Sequence, residues 1–214
     1  MLKSEAYKKF KKFLFNGELR PGQMFSQREL CEIIGISIAP LRDALHEIQN
    51  EGLIELIPNR GVKIILVNDK FVIESFQIRK FLEVGALREI IKKKIPDVFI
   101  EIKQEMNDIK KSSEVCIDSQ LLKRALEIDE FFHKNLISNL NNSLLLNLHE
   151  KVYDRVKLIK KNIRYTSERL VPAMNEHIKI IEDMNGGQKD NSILSLELHL
   201  RIAENNFLIG DQEL

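Results

Sequence analysis

The stretch GISIAPLRDALHEIQNEGL, residues 35–53, constrains this chain most, because it predicts a helix set by a tight turn against a preceding one. Ser37 offers an N-cap hydroxyl, Pro40 falls in the first turn where no intrahelical N–H is lost, and Gly52 closes the C-terminus. Leu41, Ala44, Leu45 and Ile48 recur at helical spacing and form the buried face. Ile38, Ala39, Arg42 and Asp43 are left facing outward near the N-terminal end, with Ser37 beside them as a further candidate DNA contact, and this is the end a helix-turn-helix inserts into the major groove of DNA. The rest of the chain can then be asked what it does to hold, aim or control this helix.

The flanking residues supply the other parts of such a module. Residues 2–15 place Ala6, Phe10, Phe13 and Leu14 on one side and lysines on the other, with Asn16-Gly17 as a stop. Ser26 and Glu29 form a capping box that opens a short helix ending at Gly35. The branched apolar runs 53–57 and 62–67 flank turn chemistry at Pro58, Asn59, Arg60 and Gly61, which predicts a two-stranded wing. A two-stranded ribbon is marginal alone, so it must lean on the helices. From Asp69 onward strand patterning stops. Helices are expected from 70 to about 94, from about 97 to 111, and near 119–139, 143–162, 168–185 and 190–208, with breaks at residues 139–142, in the polar stretch after Lys161, and at Gly186-Gly187. The fold class is therefore mainly α: a winged helix-turn-helix over residues 1–67, with three helices and a two-stranded wing, followed by an all-α helical bundle over 68–214.

Composition narrows the setting. No apolar run approaches the roughly 18 residues of a membrane span. The lysine-rich N-terminus lacks the apolar region of a secretory signal, which predicts a cytoplasmic protein. Cys31 and Cys116 stand in separate segments and give neither a CxxC clip nor a disulfide framework. Formal charge is +1, so contact with nucleic acid must come from a local patch.

The second half holds a constellation of its own. Asp129 and His133 lie four apart, so on a helix they stack on one face and make a bidentate metal bite. His177 and His199 sit on helices joined near Gly187, each roughly 15 to 18 Å from the turn at about 1.5 Å per residue, and so at similar depth. One carboxylate and three imidazoles suit Zn²⁺, Ni²⁺ or a similar first-row ion. By spacing alone the same residues fit a hydrogen-bonded polar core as well as a metal site. His46 and His149 are expected at the surface, and Glu176 is expected to turn onto a different face from His177.

The order of motifs in the first half resembles the DNA-binding domain of the GntR family of bacterial transcription regulators. The carrying residues are Gly17, Leu19, Pro21-Gly22, Gln27-Arg28-Glu29-Leu30, the run from Gly35 to Leu45, Glu51-Gly52-Leu53 and Arg60-Gly61. The resemblance implies that Arg28 and Arg42 contact DNA and that the Arg60-Gly61 tip enters the minor groove. Most members carry an arginine after the serine; this chain has Ile38, which can pack on a thymine methyl but cannot donate two hydrogen bonds to guanine. The second half resembles the ligand-binding domain of the FadR subgroup, the variety that holds a metal. Asp129, His133, Asn142, Glu176-His177 and His199 fall in its order, and Arg79 with Glu83 matches a pair on its first long helix. This implies one divalent metal per chain, held by Asp129, His133, His177 and His199, which helps bind a small carboxylate effector. Arg79, Asn142 and Arg169 would line that effector site, Arg79 through its planar fork.

The resulting expectation is a DNA-binding transcription regulator, a repressor, acting as a homodimer on a palindromic operator and controlled by a carboxylate. The short connection around Val67 to Lys70 would pass effector binding to the reading helices. Two other readings stay open: a metal-dependent, hydrolase-like enzyme, and an architectural DNA-binding protein with a purely structural metal.

Overall fold

The computed structural model describes residues 2–162 and 167–209. The polar break expected after Lys161 falls, at 163–166, outside the described residues. The order is α1 (Leu2–Asn16), β1 (Met24–Phe25), α2 (Gln27–Ile34), α3 (Ile38–Asn50), β2 (Ile54–Ile57), β3 (Gly61–Ile64), α4 (Asp69–Ile90), α5 (Val98–Ser113), α6 (Ser119–Ser138), α7 (Ser143–Asn162), α8 (Ser167–Asn185) and α9 (Lys189–Ile209). The chain divides into two compact units, the first running through Val72 and taking in the second half of α7 from Asp154, the second taking the remainder.

In the first unit, local chemistry sets the helix ends. Ser26 Oγ accepts from the Glu29 N–H at 3.2 Å while the Glu29 carboxylate accepts from the Ser26 N–H at 2.6 Å, closing both halves of the capping box on α2. Gly35 ends α2 in the left-handed region at φ 68°. Ser37 has N-cap backbone angles, but its hydroxyl makes no capping bond, contrary to the sequence expectation. Leu41, Ala44, Leu45 and Ile48 are fully buried against Ala6, Phe10 and Leu14 of α1, which removes enough apolar surface to fix the rotation of α3 about its axis.

The wing has one strand more than its sequence predicts. Strand order is β1-β3-β2, all antiparallel, with Met24 opposite Lys63 and Ile57 opposite Gly61. Gly61 has φ 115°, and a Cβ there would lie 2.2 Å from the Phe25 carbonyl oxygen, so the added strand can pass β3 only because that position has no side chain. The third strand gives the ribbon the support a lone hairpin lacks.

Within the same unit, the second half of α7 packs on the winged helix. Asp154 and Glu51 both pair with the Lys11 ammonium, at 2.7 Å for Glu51, and Tyr7 Oη donates to Glu51 at 2.6 Å. Burial and the Glu51 carboxylate push the Tyr7 phenol up to about 12. The Arg155 guanidinium lies 3.9 Å over the Phe71 ring.

The second unit is all helix among its described residues. Phe99, Ile102 and Met106 of α5, Phe132 and Leu136 of α6, Met174 and Ile181 of α8, and Leu196 of α9 share one apolar core. Asp118 caps α6 by accepting from the Leu121 N–H at 2.8 Å. This fixes the start of the helix that carries Asp129 and His133 on its buried side.

Candidate functional site

Five helices converge on one buried cluster in the second unit. Asp129 and His133 come from α6, His177 from α8 and His199 from α9, and one ligand atom of each lies within 4.8 Å of the others. His177 Nε2 is 3.0 Å from His133 Nε2 and 3.7 Å from Asp129 Oδ1, and His133 Nε2 is 4.0 Å from that oxygen. A tetrahedral ion with bonds of about 2.0–2.1 Å holds its ligand atoms roughly 3.3 Å apart, so these separations bracket those of a metal site. Two imidazole nitrogens aimed at each other at hydrogen-bond distance, with a carboxylate beside them, also suit such an ion chemically.

Carboxylates behind the imidazoles orient two of them. Glu83 of α4 lies 2.7 Å from His133 Nδ1, and Glu176 of α8 lies 2.7 Å from His199 Nδ1. With Nδ1–H donating to a carboxylate, each Nε2 presents its lone pair to the centre. Burial, with the nearby Arg79 guanidinium, pushes His133 down to about 3 against the pull of Glu83, so the ring is neutral, the form that ligates. Glu83 is itself fully buried; burial disfavours its charge, but Arg79 and His133 hold its carboxyl well below the usual range. Glu83 Oε1 accepts from Arg79 Nε at 2.6 Å and lies 3.1 Å from His149 Nε2. Tyr153 Oη donates to Asp129 Oδ2 at 2.6 Å, which turns the carboxylate's other oxygen toward the histidines.

Among the described residues Arg79 is the largest fully buried side chain, 1% exposed, and neither its Nη2 nor His149 Nδ1 has a hydrogen-bond partner. An unpaired buried guanidinium nitrogen is costly, so the position is suited to an anionic guest. Arg169 forms a two-pronged pair with Glu176, at 2.7 and 2.5 Å, and thereby backs the carboxylate that meets His199. Asn142 is exposed and caps α7, its Oδ1 accepting from the Leu144 and Leu145 N–H groups at 3.0 and 3.1 Å.

Two sequence expectations need correction here. His149, expected at the surface, is 1% exposed and bonded to Glu83. Glu176, expected to face away, reaches back to His199 on the neighbouring helix. His149 and Tyr153 are four apart on α7, and that spacing was the signal available for them.

At the other candidate site Ser37, Ile38, Ala39, Arg42 and Asp43 are exposed at the N-terminal end of α3, and Arg28 is exposed on α2. Arg60 is exposed at the tip of the wing, with Gly61 half-buried beside it. Arg42 Nε reaches Gln27 Oε1 at 3.5 Å, which links the outward faces of α2 and α3. His46 is exposed, as expected.

Comparison with known proteins bears on both halves. Residues 2–64 match the family described as bacterial regulatory proteins, gntR family, and residues 74–202 match the FCD domain. The HTH-type transcriptional regulator YdhC of Bacillus subtilis is 25% identical over 186 residues, covering 86% of this chain and 81% of that protein. The Nta operon transcriptional regulator of Aminobacter aminovorans is 24% identical over 159 residues, covering 74% and 73%. Among solved structures, McbR/YncC of E. coli superposes with a TM-score of 0.77 at 18% identity, covering 100% of this chain and 98% of that one. The Zn²⁺-bound FCD domain of TM0439 gives a TM-score of 0.57 at 26% identity, covering 69% of this chain and 99% of that domain.

Proposed function

Because this chain belongs to the gntR family of bacterial regulatory proteins, with an FCD domain behind its winged helix, we propose that it is a repressor whose hold on operator DNA is set by a small carboxylate bound at a divalent metal. The family membership makes it a DNA-binding transcription regulator, and its reported relatives are regulators rather than enzymes. The observation that carries the metal and effector reading is the cluster of Asp129, His133, His177 and His199 within 4.8 Å, beside a buried arginine nitrogen that has no partner among the described residues. Zn²⁺ or Ni²⁺ suits three neutral imidazoles and one carboxylate. An ion held there would offer an electrophilic point for one carboxylate oxygen, and Arg79 would supply the charged donor for the acid.

On the DNA side, Arg28 and Arg42 would contact the duplex beside the exposed end of α3, where Ser37, Ile38 and Ala39 face the groove, with Arg60 and Gly61 reaching the minor groove. One winged helix makes few base contacts, so a homodimer on a palindromic site in the cytoplasm completes the reading. Among the described residues no helix is long and apolar enough to cross a membrane.

The test is metal content of the purified protein, combined with a thermal-shift screen of small mono- and dicarboxylates on wild type and His177→Ala. About one metal per chain, with a shift in melting temperature in wild type only, is the expected result. No metal and no shift would reduce the four ligands to a polar core. Stripping the ion separates this reading from a purely structural metal: an effector-site ion costs modest stability and abolishes the carboxylate response, whereas a structural ion takes most of the domain's stability with it.

A further inference from the structure

The first turn of α3 presents methyl groups where it faces outward. Ser37 at the N-cap is followed by Ile38, Ala39, Pro40 and Leu41, so through this turn the Ser37 hydroxyl is the one side-chain group able to form a hydrogen bond, and it is not spent on capping. Leu41 is buried and Pro40 half-buried, which leaves Ile38, 43% exposed, and the short Ala39 on the surface. A lone exposed isoleucine is ordinary on a protein surface. This one lies one turn from exposed Arg42 on the same face of the helix, and Arg42 Nε reaches Gln27 of α2, the residue before exposed Arg28. The apolar spot thus sits where cationic side chains gather. Such cations draw the phosphate backbone and fix the register of the duplex but carry no sequence information themselves.

The chemistry of the major groove decides what an isoleucine there can read. Guanine, cytosine and adenine are told apart in that groove by hydrogen-bond donors and acceptors alone, whereas thymine adds a C5 methyl group. Isoleucine has neither donor nor acceptor. Over a G·C pair it would displace water from guanine O6 and N7 without replacing the lost bonds, which counts against that pair. Over thymine it buries methyl against methyl, a contact that gains free energy from the water it expels.

We propose that Ile38 is a specificity-determining residue, fixing one operator position as thymine by contact with the C5 methyl. The inference deepens the reading of α3 as the groove-facing helix and rests on it; it requires neither metal nor carboxylate.

The test begins with selection of binding sites from a randomised duplex pool by the full-length protein. In the strongest duplex recovered, each thymine is then replaced in turn by deoxyuridine, which lacks only the methyl, and affinity is read by fluorescence anisotropy at one salt concentration. One thymine for each bound winged helix is expected to lose about three- to five-fold on this replacement. Ile38→Ala should bind the thymine and uracil forms alike, while Ile38→Val should keep most of the difference. Selection with Ile38→Arg should exchange that thymine for guanine, because an arginine can donate two hydrogen bonds to it. With Ile38 exposed, each variant should retain the wild-type circular dichroism. Uracil tolerated at every thymine, an undiminished loss in Ile38→Ala, or an unchanged base preference in Ile38→Arg would each overturn the proposal and leave DNA binding standing. A pool from which no sequence is enriched would remove the groove-facing reading together with it.

Discussion

Glu176 shows how much of a candidate ligand's behaviour is set by the atom behind it. Its carboxylate accepts from His199 Nδ1 and from both outer nitrogens of Arg169, and although burial opposes its charge, these donors hold it below the usual carboxylate range. Glu176→Gln removes the anion while keeping the shape, so His199 loses the partner that fixes its tautomer. Metal affinity is expected to fall about 10- to 100-fold, with melting temperature of the metal-free protein little changed, since the side chain is 21% exposed. Titration calorimetry with Zn²⁺ checks this, and an unchanged affinity would show that His199 is not a ligand. Helical spacing and hairpin length place Asp129, His133, His177 and His199 at one depth by counting, and the structure brings them together, but counting left a polar core and a metal site equally open, and the reading as ligands came from the resemblance to the FadR subgroup. Their supports were not legible by counting: Glu83 reaches His133 across 50 residues and His149 across 66, and such meetings are decided by how five helices pack. Asn142 fell in the right order, but its oxygen is used as a cap.

At the scale of elements, α7 belongs to both units. Tyr153 bonds Asp129 in the helical unit, while the next residue, Asp154, pairs with Lys11 of α1. Successive side chains on a helix point about 100° apart, so Tyr153 and Asp154, though adjacent, meet different neighbours. If the proposed carboxylate disturbs the Tyr153–Asp129 bond and thereby turns α7, Asp154 on the same helix would turn with it, a route additional to the one proposed through the connection around Val67 to Lys70. Asp154→Asn should therefore leave metal and carboxylate binding in place while reducing the effect of carboxylate on DNA affinity by several-fold. Fluorescence anisotropy with labelled operator, with and without the acid, measures it, and full coupling in the variant would rule α7 out. No periodicity reveals such a device, because α7 reads as one ordinary amphipathic helix. The long helices were predicted to within a few residues for the opposite reason: each announces itself by period and caps. Strand β1 did not, since two residues beside Pro21-Gly22 acquire strand character only by pairing with β3.

For the whole molecule, a net charge of +1 means that DNA is not attracted by the bulk of the protein, and on the proposed reading the exposed arginines of α2, α3 and the wing would carry the approach. On the proposed reading, affinity for an operator would depend on two such faces acting together, and a carboxylate bound in the helical unit would act by changing the balance between arrangements of the dimer. That is coupling between sites, and it is reciprocal: if the carboxylate weakens operator binding by some factor, operator must weaken carboxylate binding by the same factor. A factor in the range of about 5 to 150 is typical of such coupling, which both measurements can resolve. Operator affinity would be determined with and without saturating carboxylate, and carboxylate affinity by calorimetry with and without saturating operator, at one salt concentration and with the metal site loaded throughout. Equal factors are expected. A carboxylate that binds tightly but leaves operator affinity unchanged would mean that it has no preference between the two arrangements, and ligand control would then have to be abandoned while the DNA-binding role stood.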